Sequence, residues 1–454
     1  MVRPAAPIRL LTAVPICDGH DSAISTINLE FIRNGIEVIY LGYHRSAADI
    51  ARAAVQEDVR AIGISSYNGG HVEFFAEVIR QLKTRGGDDI RLFGGGGGTI
   101  TPADARIMRR GGVDEIFFAG TSLDKIVEYV KTRYATAPRA ANGMQRGDRQ
   151  LGRQLTLAAE GERAKASARP SRVSSSRPRL VLGITGPGGA GKTTLIDELV
   201  LRFLQSNPTG RIAILSHDPS IVGNGALLGD RAAMFYCQDD RVFMRSLSTA
   251  GQAGGLAPQT RRCLDVHFRE DFDVILIETV GIGQEAVPFG KGLVDKTILV
   301  MSPDYGSRLQ LQKIAMLDAA DLIVVNKSDL SAARAATAEI EQRLALNHRG
   351  QQVISTIAKR HGDGGVDRLF QALNVGRALP AAGNPVLSPP PVLRGRARVG
   401  VRATGTPSTQ PPPQPSPGIP REGEKVSLKN TRAGAKPAKT TGGPPVPLKR
   451  GARR

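Results

Sequence analysis

The densest chemistry in the sequence is an eight-residue run, Gly186-Pro-Gly-Gly-Ala-Gly-Lys-Thr193. Glycines let successive backbone N–H groups turn inward around phosphate oxygens, at the positive end of a following helix. Gly186, Gly188, Gly189, Ala190, Gly191, Lys192, Thr193 and Thr194 are therefore the expected phosphate contacts. The Lys192 ammonium reaches the β- and γ-phosphates as a catalytic part, and the Thr193 hydroxyl binds Mg²⁺. Farther on stands Asn326-Lys327-Ser-Asp329. A carboxylate at Asp329 accepts from N1 and N2 of guanine, a donor pair adenine does not offer. GTP is the expected substrate, with Ser355-Thr356-Ile357 against the base from the other side. Between these motifs lie Asp218, Asp230 and Glu278-Thr279. Carboxylates at the ends of successive strands face the metal and the attacking water, which gives Glu278 a catalytic role.

A second constellation is Asp18-Gly-His20. A neutral imidazole in the loop after a first strand can coordinate a metal, and a carboxylate two residues earlier can hold its other ring nitrogen. His44 and His71 read as structural.

Positioning these groups needs two blocks of alternating strands and helices. The first has strand-like runs at Ile8–Ile16, Glu37–Leu41, Ala61–Ser65, Ile90–Phe93 and Glu115–Phe118. Amphipathic stretches lie between them, which predicts a parallel, flavodoxin-like α/β sheet with ligands outside the carboxyl ends of its strands. The second has runs at Leu180–Thr185, Ile212–Ser216, Val242–Arg245, Val274–Glu278, Thr297–Ser302, Leu322–Asn326 and Val353–Ile357. This is again α/β, with the phosphate loop between its first strand and a helix at Thr194–Leu204. The expected segments are a first domain over 1–134, a linker over 135–178 with some helix near Gln150–Lys165, a second domain over 179–378, and a disordered tail over 379–454.

The net charge is +19. Ala135–Pro178 holds 9 Lys/Arg against 3 Asp/Glu, and Pro380–Arg454 holds 14 against 2. Nearly all the excess therefore lies in the linker and tail, so no specific nucleic-acid role is expected. Three cysteines form no framework, no run is long and apolar enough to span a bilayer, and the N-terminus lacks a secretion signal. A cytoplasmic location without membrane contact is the expectation.

Four motifs carry a resemblance: Asp218-Pro-Ser220, Gly225-Ala-Leu-Leu-Gly-Asp230, Arg245-Ser-Leu247 and Glu278-Thr-Val-Gly-Ile-Gly-Gln284. They resemble the metallochaperone class of P-loop GTPases, in particular those serving adenosylcobalamin-dependent acyl-CoA mutases. Asp18–Ile24, Ser65–His71 and Phe93–Thr99 are similar to the cobalamin-binding domain of those mutases. The order resembles the N-terminal part of the fused isobutyryl-CoA mutases, in the methylmalonyl-CoA mutase family, over roughly Ile8–Leu373. The resemblance implies adenosylcobalamin with His20 as lower cobalt ligand oriented by Asp18. It implies that Ser65, Ser66, Gly95 and Gly96 line the slot for the cofactor's nucleotide tail. It also implies Mg²⁺ held by Thr193, Asp218, Asp230, Glu278 and Thr279. Ala23 departs from the cobalamin pattern, and an expected nucleotide-contacting Arg falls at Ala233, with Arg231 nearby.

The fused mutases continue into a (β/α)₈ substrate barrel, for which the residues after Leu373 show no pattern. The expected function is a GTP-hydrolysing chaperone that gates cofactor loading for an acyl-CoA mutase substrate domain carried elsewhere, working as a homo-oligomer. The alternative is a cobalamin carrier or regulator with a degenerate GTPase. A nickel-type chaperone lacks the His-rich tract or Cys-x-x-Cys it would need.

Overall fold

A computed structural model of the chain describes residues 7–16, 18–20, 22–135, 147–161, 180–220, 225–281, 288–290, 292–305, 315–347 and 349–373. Most of the expected linker, the whole tail, Cys17 and residues 282–284 lie outside these.

The first lobe runs β1 (Arg9–Ala13), α1 (Ser22–Arg33), β2 (Glu37–Tyr40), α2 (Ala47–Gln56), β3 (Ala61–Ser65), α3 (His71–Thr84), β4 (Arg91–Gly95), α4 (Pro102–Arg110), β5 (Glu115–Phe117) and α5 (Leu123–Arg133). Its strands are parallel in the order β5-β4-β3-β1-β2, the flavodoxin-like order. β1 is buried along its whole length, as befits a strand covered by helices on both faces. It ends earlier than Ile16, because Pro15 has no N–H to donate and makes only an isolated bridge to Arg45. Helices start where side chains cap them: Ser46 and Asp49 form a capping box on α2, and Thr101 and Asp104 do so on α4, with Pro102 in the first turn.

Within the expected linker stands α6 (Asp148–Glu160). Leu151, Leu155 and Ala158 recur on one face, and that face packs with Val181, Leu215 and Phe243 of the second lobe.

The second lobe comprises β6 (Leu180–Thr185), α7 (Lys192–Ser206), β7 (Ile212–Asp218), β8 (Ala226–Leu228), α8 (Asp230–Ala233), β9 (Val242–Ser248), α9 (Thr260–His267), β10 (Val274–Glu278), β11 (Lys296–Met301), α10 (Ala315–Ala319), β12 (Leu322–Val325), α11 (Ala333–Ala345), β13 (Gln352–Ser355) and α12 (Gly364–Ala372). Seven strands form a sheet in the order β13-β12-β11-β6-β10-β7-β9. The central β6, β10 and β11 place the phosphate loop and Glu278 side by side.

β8 is not in that sheet. It pairs in parallel with β2 and becomes the sixth strand of the first lobe (Glu37↔Ala226, Val38↔Leu227, Ile39↔Leu228). The outer edge of β9 is covered by side chains instead of a strand. Gln56 donates to Val242 O (2.9 Å) and accepts from Met244 N (3.2 Å), Glu57 accepts from Ser246 N (3.1 Å), and Arg9 donates to Ser246 O (3.2 Å). Glu57 is fully buried and pairs with Arg9 (2.8 Å) and Arg231 (2.9 Å). Burial alone would raise its pKa, but Arg231, Arg9 and Arg245 outweigh that and hold it below the usual value. The described residues are accordingly one compact unit.

Candidate functional site

The phosphate loop leaves β6 as expected, and Gly191, with φ 89, turns the chain into α7 at Lys192. Lys192 is buried and donates to Gly186 O (3.2 Å) and Pro187 O (3.3 Å), spanning the cradle a phosphate would fill. Burial lowers its pKa, and Glu278 and Asp230 oppose that.

Three carboxylates face this loop. Thr193 Oγ1 donates to Glu278 Oε1 at 2.7 Å. Ser216 Oγ lies 3.4 Å from Glu278 Oε2 and donates to Asp230 Oδ2. Asp218, the last residue of β7 and next to the buried His217, accepts from Gly229 N through Oδ2 at 3.2 Å. Burial and the charge of Asp230 push Asp218 up to about 8. Burial, then Asp230, raises Glu278 well above the usual carboxylate range, against Thr193 and Lys192. Burial raises Asp230 too. Buried like charges of this kind call for a cation. The oxygen-only donors Thr193, Asp218, Asp230 and Glu278 suit Mg²⁺. Among the described residues no group of three or more His, Cys, Asp or Glu side chains lies close enough to hold a metal by itself; Mg²⁺ is usually bound through one or two carboxylates plus waters and phosphate oxygens.

Thr279 does not join this group. Its hydroxyl donates to Thr185 Oγ1 (3.0 Å) inside the sheet, and its N–H to Ile184 O. The residue sequence reading missed on this side is Ser216, which bridges two of the acids from the end of β7. His217 was missed as well. Its Nδ1 donates to Glu278 O (2.7 Å) and its Nε2 accepts from Thr260 Oγ1 (2.8 Å). Burial pushes it down to about 4, so the neutral ring fixes the main chain under Glu278.

At the base end, Asn326 works on the protein. Its Nδ2 donates to Ala190 O (2.9 Å), and its Oδ1 accepts from Thr356 Oγ1 (3.1 Å) and Ala358 N (3.0 Å). It thus ties the phosphate loop to the chain after β13. Lys327 holds φ 58, a left-handed conformation that a non-glycine residue adopts only under constraint. Asp329 is paired with Lys359 at 2.6 Å, and the hydrogen bond from Lys359 lowers its pKa. Lys359 was not picked out in sequence, although it stands three residues after Thr356. Arg231 is fully buried against Glu57, turned away from the phosphate loop, so it cannot replace the nucleotide-contacting Arg expected near Ala233.

At the carboxyl ends of β1, β3 and β4 lies the second site. Asp18 is buried and accepts from His20 N (3.0 Å), His20 Nδ1 (2.8 Å), Tyr67 N and Asn68 N (3.2 Å). Burial raises its pKa, and these bonds together bring it below the usual value. With Nδ1 held, Nε2 of the exposed His20 ring is free as a ligand, the donor set cobalt of a cobalamin requires. Tyr67, unnoticed in sequence, lies over the ring at 4.8 Å. Ser66 N donates to Gly95 O (2.9 Å), which brings Ser65, Ser66, Gly95 and Gly96 together at one strand edge. The protein's own main chain requires glycine here. A Cβ at Gly96 would lie 2.0 Å from Ser66 O, and one at Gly95 2.6 Å from Phe117 O. Close approach of neighbouring main chain, and not only of a ligand, demands glycine there.

A family model described as "Methylmalonyl Co-A mutase-associated GTPase MeaB" matches residues 151–380, and a "B12 binding domain" model matches residues 8–127. Fused isobutyryl-CoA mutase of Geobacillus kaustophilus (strain HTA426) is 38% identical over 397 residues, covering 82% of this chain and 36% of the relative. That of Cupriavidus metallidurans is 38% identical over 399 residues, with the same coverage. The mitochondrial methylmalonic aciduria type A homolog of Mus musculus is 33% identical over 192 residues, 40% of this chain and 46% of the relative. The chain spans about a third of the length of the fused relatives it matches, at 36%.

Proposed function

This chain belongs to the MeaB family of methylmalonyl-CoA mutase-associated GTPases, and on that footing we propose that it hydrolyses GTP to gate the loading of adenosylcobalamin onto an acyl-CoA mutase substrate domain. The observation that carries the reading is the presence of both constellations, Asp18–His20 and the Lys192–Glu278 cluster, in one compact unit. Mg²⁺ would supply charge to the developing phosphate oxyanions. Lys192 binds the β- and γ-phosphates, Thr193 and the carboxylates hold the ion, and Glu278 orients the attacking water. Asp329 selects guanine. At the other site a cobalamin supplies the organometallic bond. There Asp18 keeps the His20 proton on Nδ1, so that Nε2 faces the cobalt. The mutase partner is supported by the name of the fused relatives, isobutyryl-CoA mutase; the adenosyl form is part of this proposal.

The test is an absorbance titration of the whole chain with adenosylcobalamin, with and without Mg²⁺ and GTP. The spectral change that marks exchange of the cofactor's own base for an imidazole should appear in the native protein and vanish in His20→Ala. Its survival in the variant would assign the cobalt to another group. One observation, Arg231 buried against Glu57 and Gln56, favours a carrier or regulatory protein with a degenerate GTPase; absence of phosphate release would decide for that reading.

A further inference from the structure

The two sites are joined by one short loop, Gly42–Ser46, between β2 and α2. On its GTPase side, Arg45 Nη2 donates to Ala232 O at 2.8 Å, two residues beyond Asp230. Arg45 Nε donates to Leu41 O at 2.6 Å, which fixes the guanidinium's direction. On its cobalamin side, Arg45 N donates to Val14 O (3.1 Å) and His44 Nδ1 to Ile16 O (3.1 Å). The His44 ring also lies 3.8 Å from where a Cβ on Gly19 would stand, beside His20. His44 holds φ 58, which a non-glycine residue keeps only where its surroundings impose it.

From Gly225 onward, the arm that leads to Asp230 is docked on the cobalamin lobe. Gly225 N donates to Ile32 O (2.8 Å), β8 pairs with β2, and Arg231 is locked to Glu57 and Gln56 (both 2.9 Å). Asp230, Arg231 and Ala232 share the four-residue α8. Any shift of the Asp230 main chain toward an incoming cation therefore carries the Ala232 carbonyl with it. Arg45 is buried, and a buried donor that loses its acceptor is costly, so the loop must follow.

We propose that the Gly42–Ser46 loop is a mechanical link by which Mg²⁺ and guanine nucleotide at Asp230 alter how tightly the His20 loop holds a cobalamin. The link rests on the function proposed above. Arg45 and His44 act as positioning residues, each contacting the main chain of one site. Linkage makes the effect reciprocal: cobalamin must change nucleotide affinity by the same factor.

The experiment measures adenosylcobalamin affinity of the whole chain by absorbance, with and without Mg²⁺ and a non-hydrolysable β,γ-imido GTP analogue, and then the converse. In the native protein each ligand should change the other's Kd by about fivefold or more. Arg45→Lys keeps the charge but lacks the fork that serves Leu41 and Ala232 together. His44→Ala removes the exposed ring at the other end. Both should bring the factor close to one while each ligand, titrated alone, binds as in the native protein. Should Arg45→Lys fail to fold, His44→Ala carries the test. If the native chain binds both ligands independently, or if coupling survives both substitutions, the link is overturned and the proposed function stands. If the native chain binds no cobalamin at all, that function falls and the link with it.

Discussion

Glu278 is where the two demands on the nucleotide site meet: it must be buried to face the metal, and it must stay charged. Thr193 and Lys192 stabilise its anion, while burial, Asp230 and Asp218 oppose it. Because its proposed role lies at a metal and water, Glu278→Ala should lower kcat by about 10²-fold or more and change nucleotide Kd far less. Phosphate release and analogue binding measure the two separately; a loss confined to affinity would remove it from the catalytic group. Asp218 gives a pH signature. Its folded pKa of about 8 lies above its ordinary value near 3.8, so the folded, metal-free protein retains a proton that the unfolded chain has lost. That contribution to stability is full below the unfolded pKa and disappears as pH rises through the folded one. In EDTA the melting temperature should therefore be lower at pH 8 than at pH 6, and Asp218→Asn should narrow the gap. An unchanged gap would mean that Asp218 is not the titrating group. Lys192, Asp218 and Glu278 were legible because each follows a strand or opens a helix within a local motif. Thr279 misled because its neighbour Glu278 points to Thr193, and successive residues at a strand's end point opposite ways.

At the scale of elements, strands with long apolar runs announced themselves, and the flavodoxin-like order followed from alternation alone. β8 did not. Three residues, Ala226–Leu228, are too few for a periodic signal, and their partner β2 lies almost 190 positions away in sequence. α6 was half legible: its periodic leucines are local, but the surface they pack on is assembled from β6, β7 and β9. The Glu57 network was hidden for the same reason, since an Arg or Glu in a sequence does not reveal burial. Glu57 balances Arg9 and Arg231 in a site with no solvent access. Removing one member of such a set leaves uncompensated buried charge, and typically costs about 3–5 kcal/mol. Glu57→Ala should lower the urea midpoint accordingly with the phosphate loop untouched. A change within experimental error would show that the network is dispensable for holding the lobes together.

For the whole molecule, the consequence of β8 and of the covered edge of β9 is that the lobes cannot separate without loss. Parting them strips β2 of a strand, leaves four main-chain groups of β9 unpaired, and exposes Glu57 with its arginines. Open main-chain groups and unpaired charges make that state rare, so the slowest-exchanging amides of both lobes should exchange through one common opening. A ligand that binds only the closed state then protects both lobes equally. At one hundred times its Kd, Mg²⁺·GDP stabilises by about 2.7 kcal/mol, equivalent to roughly 100-fold slower exchange. Hydrogen exchange read by mass spectrometry on the whole chain should show this slowing in peptides covering Arg9–Ala13 and Ala61–Ser65, in the lobe that holds His20. Peptides covering Leu180–Thr185 and Val274–Glu278, beside the nucleotide, should slow by the same factor. Slowing confined to the second pair would mean that the first lobe opens on its own and that the shared strand and buried ion pairs do not bind the lobes into one cooperative unit.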